Sequence, residues 1–323
     1  MNISEFKKQM NTWGQEKVPF LFIVDFEMEN PEIIRLSDVY KNKILFDING
    51  FTNTNSLYEN PESISIKKLP INFAEYQNKF DVVFRHLEYG DSFLTNLTVK
   101  TEIKTNHSLQ DLFYFSKAKY KLLYGNQFLV FSPETFIKLN SGKIFSFPMK
   151  GTIDATTPNA HEKILADKKE FAEHVTIVDL IRNDLSLVAD NVEVTRFRYV
   201  EEIRTHSKNL FQVSSEISGR LSTHYKTQLG DILVKLLPAG SISGAPKQKT
   251  VEIIKQAEGE QRGFYTGVFG YFDGENLDSG VMIRYIEQVD GKYFYRSGGG
   301  ITTQSDAMSE YQEALDKVYV PVD

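Results

Sequence analysis

Residues 236–272 read LLPAGSISGAPKQKTVEIIKQAEGEQRGFYTGVFGYF, a small-residue loop feeding a helix and then a glycine-punctuated apolar strand. Pro246 suits a first helical turn, where its missing N–H and fixed φ are harmless, and Val251, Ile254 and Ala257 follow at helical spacing. The pattern predicts a helix starting near Pro246. Ala245 is a poor N-cap, so the N–H groups of that turn lack an obvious side-chain partner, while Ser241, Ser243, Gly244 and Lys247 surround them. Two readings stay open on local grounds: an anion site on the floor of a pocket, or an ordinary loop-to-helix junction whose glycines serve turn geometry.

The segments on either side alternate between strand and helix signals. From 18 to about 99 the chain is aromatic and strand-like, with PFLFIVDF at 19–26 and KILFDING at 43–50 turning at Asn49 and Gly50, then a helix-compatible stretch at 72–90. SFLTNLTVKTEI at 92–103 alternates apolar and polar residues as a half-buried strand does. Residues 127–153 read as a hairpin turning at Asn140, Ser141 and Gly142. A helix is expected over 164–187 with Phe171, Val175, Val178, Ile181 and Leu185 on its apolar face, and 191–221 returns to strand-like alternation. A second hairpin over 277–301 turns at Asp290 and Gly291 and ends in three glycines, which let a backbone come close to a neighbour. The last helix begins near Asp306, with Met308, Tyr311, Leu315 and Val318 as its buried stripe. With no repeat, low-complexity tract or long linker, the expectation is α+β: one domain of antiparallel sheets flanked by helices.

At 323 residues and 41% hydrophobic, the chain can bury a sizeable core. A net charge of −6 without a basic cluster argues against nucleic acid or an anionic membrane as partner. The absence of cysteine excludes disulfides, thiolate metal sites and cysteine nucleophiles, and fits a reducing compartment. No secretory leader or membrane-length apolar run is present, so a cytoplasmic location is expected.

Two glutamate pairs, Glu170/Glu173 and Glu310/Glu313, are spaced i, i+3 so that each lies on one side of a helix. Taken alone, each is a solvated helix face. Brought together, four carboxylates would repel one another and either take up protons or bind a hard cation, Mg²⁺ before zinc or copper. Lys317, four residues beyond Glu313, is either a helix pair or a group aimed at the same place. His174 falls nearer the apolar stripe and reads as a core histidine rather than a ligand. There is no G-x-S-x-G elbow or Walker A loop, and the glycines at 298–300 do not continue into G-x-G-x-x-G, which disfavours hydrolase and nucleotide-fold readings.

As a set, SPETF (132–136), PMKGT (148–152), KEFAEH (169–174) with VDLIRNDL (178–185), AGSISGAPK (239–247), GVFGYF (267–272), SGGGI (297–301) and EYQEALDK (310–317) resemble the chorismate-utilising enzymes. The motifs run in family order over about 85–320, with 1–80 a shortened N-terminal part of the sheet, so that 1–323 is expected to be a single catalytic domain. The resemblance implies two facing, mainly antiparallel sheets with helices outside, and Mg²⁺ holding a carboxylate of chorismate. It also narrows the branch. Branches that add water carry a lysine base where this chain has Leu94, and lysine in P-x-K-G-T, here Lys150, is similar to the aminodeoxychorismate synthase component I branch. The alternatives are anthranilate synthase component I, which lacks that lysine, and a non-catalytic chorismate-binding protein.

The same resemblance implies roles. Lys150, if desolvated enough to be neutral, is the nucleophile and Glu134 the general acid. Glu173 and Glu313, with Glu170 and Glu310 behind bound waters, hold Mg²⁺. Backbone N–H groups of Ser243, Gly244 and Ala245 and of Gly298, Gly299 and Gly300 clamp the ring carboxylate with Thr152 and Lys317, while Arg284 and Tyr265 hold the enolpyruvyl carboxylate. Gln212 stands where the family commonly has a histidine, and the serine motif of the long members' tryptophan pocket has no match, so tryptophan feedback is not expected. Glutamine-dependent amination needs a cysteine nucleophile. With none in the chain and no glutaminase domain expected after Asp323, ammonia is expected from a separate glutamine amidotransferase subunit or from solution.

Overall fold

The computed structural model describes residues 1–54, 63–203 and 209–322. The strands, in chain order, are β1 (Phe20–Val24), β2 (Glu32–Arg35), β3 (Ile44–Ile48), β4 (Phe51–Thr52), β5 (Ile66–Leu69) and β6 (Leu94–Thr105). They continue with β7 (Tyr120–Tyr124), β8 (Phe128–Ser132), β9 (Thr135–Asn140), β10 (Lys143–Ser146), β11 (Met149–Asp154) and β12 (Asp190–Ile203). The last are β13 (Leu210–Arg220), β14 (Gly244–Ala245), β15 (Val268–Phe272), β16 (Leu277–Val281), β17 (Tyr285–Val289) and β18 (Lys292–Ile301). The helices are α1 (Ile3–Gln15), α2 (Phe73–Tyr89), α3 (Leu109–Phe115), α4 (Ala160–Ala166), α5 (Lys168–Ser186), α6 (Leu229–Leu236), α7 (Gly240–Ser243), α8 (Lys247–Glu258) and α9 (Ala307–Asp316).

Two antiparallel sheets result, as expected. One runs β11-β13-β10-β9-β16-β15-β1-β2 with β12 on β13, and the other β14-β6-β18-β17-β8-β7-β3-β4 with β5 on β6. Strand β1 explains the layering. All five of its residues are buried: Leu21 and Ile23 pack with Phe46, Tyr120 and Val130 of the second sheet, while Phe20, Phe22 and Val24 join Phe6, Met10 and Leu233 of α1 and α6. The second sheet's outer face, through Leu97, Val99 and Ile301, is covered by α2, α8 and α9. The order of layers is therefore helices, sheet, sheet, helices. Between the sheets Gly280 faces Tyr120, whose ring would lie 2.5 Å from any Cβ added there.

Several expected elements are corrected. The segment 127–153 is not one hairpin: β8 belongs to the second sheet and β9 to the first, so the chain changes sheet at Pro133 and Glu134, and only β9 and β10 form the hairpin turning at Ser141 and Gly142. Likewise β16 and β17 lie in different sheets and the chain crosses at Met282, Ile283 and Arg284, while β17 and β18 make the hairpin turning at Asp290 and Gly291 as expected. The two crossings lie side by side, the N–H of Val281 donating to Glu134 O (3.1 Å) and that of Phe131 to Arg284 O (3.1 Å). The helix expected over 164–187 is two, because Asp167 leaves the helical region and caps α5 by accepting from the N–H of Glu170. Phe171 and Val175 are exposed and the inner face runs through His174, Ile177, Val178, Ile181 and Leu185. On α9 the buried stripe is Ala307, Glu310 and Ala314, with Met308 outside. Of the strand-like region 191–221, residues 204–208 lie outside the described residues.

Candidate active site

Strand β11 lies at the margin of the first sheet, paired to β13 with a register shift between Met149 and Thr152. The shift falls at Gly151, whose φ of +79° is open to glycine and strained for other residues. It presents Lys150 to α5, with Nζ 2.6 Å from Glu173 Oε2. A Cβ on Gly151 would lie 3.1 Å from Glu170 Oε2, so the glycine also admits the second member of that pair. Burial pulls the Lys150 amine down, but the attraction and hydrogen bond of Glu173, with the fields of Glu170 and Glu313, outweigh it and the pKa is raised. While Glu173 faces it the amine is held as an ammonium, so the neutral form that the sequence reading made a condition of attack needs that contact broken.

The other pair arrives on α9. Glu310 is buried and accepts from Ser305 Oγ (2.8 Å), and Glu313 pairs with Lys317 Nζ at 2.6 Å. Lys317 also donates to Gly298 O (2.8 Å). A Cβ on Gly299 would meet Glu310 Oε2 at 3.3 Å and Glu313 Oε1 at 3.5 Å, which accounts for glycine in that strand. Strand β17 accompanies β18 only as far as Arg296, so the three glycines pair with a strand on one side alone, opposite Thr98, Leu97 and Asn96 of β6.

Glu134 and Arg284 come from the two sheet crossings. The half-buried Glu134 carboxylate accepts a very short hydrogen bond from Ser241 Oγ. Burial pushes the Glu134 carboxyl up, opposed by Ser241, Arg284 and Lys317. Arg284 donates to Lys317 O (3.1 Å) and stacks its guanidinium over Tyr319. Tyr265 is buried against Tyr285, and burial pushes its hydroxyl up to about 12.

The SISGAP segment is more structured than a loop. Residues 240–243 form a helical turn, Gly244 and Ala245 pair with Thr95 and Leu94 of β6, and Pro246 precedes α8 as a cap position without a side-chain bond. Gly244 has a φ of +126°, and a Cβ there would fall 1.9 Å from Leu94 O. Leu94 packs against Gly300 in turn, so this junction and the glycine strand share a wall. The buried Ser243 hydroxyl is committed to Ala239 O (2.9 Å). Thr152 is exposed and sits opposite Gln212 on β13. His174 is a core histidine as expected, its Nε2 bonded to Ser215 Oγ (2.7 Å) and its pKa lowered by burial to about 4.

The sequence reading missed two contacts of this region. One is the bond from Ser241 to Glu134, and the other is the ion pair of Lys247 with Asp184 (2.7 Å). Both join residues far apart in the chain, and no spacing rule connects them.

Among the described residues no three carboxylates or imidazoles form a ready-made metal cage. The oxygen-only donors nevertheless suit a hard cation. Positive charge already stands 2.6 Å from Glu173 and 2.6 Å from Glu313, in the ammonium groups of Lys150 and Lys317.

A profile described as chorismate binding enzyme matches residues 24–323. The chain belongs to the chorismate-binding enzyme family. An uncharacterised PabA-like protein of Pasteurella multocida is 51% identical over 323 residues, covering 100% of both chains. Aminodeoxychorismate synthase component 1 of Klebsiella aerogenes is 33% identical over 260 residues, which span 76% of this chain and 56% of that protein. The solved anthranilate synthase component I of Streptococcus pneumoniae superposes with a TM-score of 0.67 at 26% identity, over 80% of this chain and 59% of that one. No described helix is long and apolar enough to cross a membrane.

Proposed function

We propose that this chorismate-binding enzyme is aminodeoxychorismate synthase component I, converting chorismate and ammonia to 4-amino-4-deoxychorismate. The observation that carries the reading is Lys150: an amine on a bulged strand, half-buried, 2.6 Å from Glu173. An anthranilate synthase has no use for a nucleophile there.

The Lys150 amine, once parted from Glu173 and deprotonated, adds to C2 of the ring. The two ring double bonds shift, the C4–O bond breaks, and the hydroxyl leaves as water with the proton of Glu134. Ammonia then adds at C4, the double bonds return, and the C2–N bond to Lys150 breaks. Glu134 suits the acid role because burial favours its protonated form while Ser241 orients it. Glu173 and Glu313, with Glu170 and Glu310 behind them, would hold Mg²⁺, which supplies charge neutralisation for the ring carboxylate. Gly298, Gly299, Gly300, Ser243, Gly244 and Ala245 contribute backbone donors there, with Lys317 beside them and Thr152 at the outer margin. Arg284 and Tyr265 face the enolpyruvyl carboxylate. Leu94 has no exchangeable proton, which disfavours activation of water at that wall. Ammonia comes from a separate glutamine amidotransferase, because a chain without cysteine cannot release it from glutamine by thiolate attack.

The test is incubation with chorismate, Mg²⁺ and ammonium, with the product identified by mass. Aminodeoxychorismate is expected. Anthranilate or isochorismate would assign a different branch, and unchanged chorismate would leave a binding protein.

A further inference from the structure

Behind Glu134, on the side of α5, lies a cavity of about 30 Å³ bounded by Glu134, Ser146, Asp184, Gly240 and Ser241. That space accepts one or two water molecules, since about 10–15 Å³ suffices for one. Phe136, Ile181, Leu185 and Leu236 make much of its wall apolar, and Glu134, Ser146, Asp184 and Ser241 supply the polar partners that a buried water requires. Asp184 comes close because residue 240 is glycine: a Cβ there would lie 2.7 Å from Asp184 Oδ2. Lys247 holds the same oxygen at 2.7 Å and donates to Leu236 O at 2.7 Å, which fixes the carboxylate against the start of α7.

We infer that Asp184 is a positioning residue for Glu134, acting through water in this cavity and through the Ser241 hydroxyl. The inference rests on the reading of Glu134 as general acid. The directions of the hydrogen bonds make the link specific. Ser241 Oγ donates to Glu134, so its lone pairs accept. A water that gives one proton to the Asp184 carboxylate can give the other to Ser241, and this keeps the serine hydroxyl turned toward Glu134. The effect is to favour ionised Glu134 and to offset part of its burial. Among the described residues the charged groups around the link are few. Lys247 faces Asp184 from α8, while Arg284 and Lys317 face Glu134 from the sheet crossing and from α9. The Asp184 carboxyl is itself pushed up by burial and held down by Lys247, as expected of a pair kept from bulk solvent.

The experiment titrates Glu134 directly by infrared spectroscopy, using the protonated-carboxyl band that disappears in Glu134→Gln. In Ser241→Ala the midpoint should rise by about half a pH unit to one, a three- to ten-fold change in acid strength for one lost hydrogen bond. The double variant Asp184→Asn/Lys247→Gln keeps the net charge and should produce a similar rise. Combined with Ser241→Ala it should add little, because both act through one hydroxyl. A rise in Ser241→Ala with none in the double variant would overturn the link, as would a high-resolution crystal structure without an ordered water between Asp184 and Ser241. The crystal structure decides the matter if the double variant does not fold. Turnover of chorismate with ammonium, followed on the same samples, separates the underlying reading: full activity in Glu134→Gln removes the acid role whatever the titration shows.

Discussion

Lys150 Nζ lies 2.6 Å from Glu173 Oε2, so the residue proposed as nucleophile is clasped by a residue proposed to hold the metal. On that proposal, cation binding and amine release are two sides of one exchange. Lys150→Ala should abolish amination while chorismate still binds. The same variant removes a competing charge from Glu173 and Glu170, and Mg²⁺ should bind at least several-fold tighter by calorimetry, given about 4 kcal/mol between unit charges 4 Å apart near a protein surface. Unchanged Mg²⁺ affinity would separate Lys150 from the metal site.

Removing Mg²⁺ with a chelator should stop turnover with ammonium, and Mg²⁺ should restore it. Glu310→Gln, on the buried side of α9, should weaken that restoration, measured as the Mg²⁺ concentration giving half-maximal rate. A chelated enzyme at full speed would refute the metal role of the glutamates.

Glu134 makes a prediction about pH. Its carboxyl is raised in the folded chain by burial, so its contribution to stability is complete below the unfolded carboxyl pKa of about 4.3 and is lost as pH rises through the higher folded value. Glu134→Gln should therefore stabilise the protein at neutral pH, with the gain shrinking to nothing near pH 4. Denaturant midpoints for both proteins across that range check the sign.

Arg262, 1% exposed, is the most deeply placed guanidinium of the described residues. It forms a two-fold contact with Glu258 (2.6 and 2.9 Å) and donates to Ile242 O and Asn96 O, binding α8 to β6 and to the SISGAP turn. Arg262→Ala should cost about 3–5 kcal/mol in denaturant unfolding, because Glu258 is left charged and buried. The paired replacement Arg262→Met/Glu258→Leu should cost less than the single one.

Glutamine alone should not support turnover by the pure chain, whereas ammonium salts should, and an added amidotransferase subunit should confer glutamine use. The chain contains no cysteine with which to attack the amide. Glutamate release by the chain alone would overturn this division of labour.

Much of the fold was legible because its signals are local. Asn72 and Gly90 bracket α2, Asp306 caps α9, and Asp290 with Gly291 turns β17 into β18. What periodicity could not show is which sheet a strand joins. Strands β8 and β9 read as one arm of a hairpin, and only their partners, β7 and β17 on one side and β10 and β16 on the other, separate them. The apolar stripe of α9 was misplaced for a related reason: Met308 is more apolar than Glu310, yet Ser305 and the glycine strand make the inside of that helix polar. Lys150, Glu134 and the glutamates could be named from motifs. The partner that gives Glu134 its character, Ser241, comes from a contact that no sequence interval encodes.

The paired crossings between the sheets have a bearing on how this pocket can change. Glu134 and Arg284 sit on neighbouring corners whose backbones are laced to each other through Val281 and Phe131. Neither side chain can be relocated without unpicking a seam that both sheets share. The corners that carry Glu134 and Arg284 are thus costly to redesign, whereas a change in β11, at the margin of its sheet, disturbs the pairing with β13 alone.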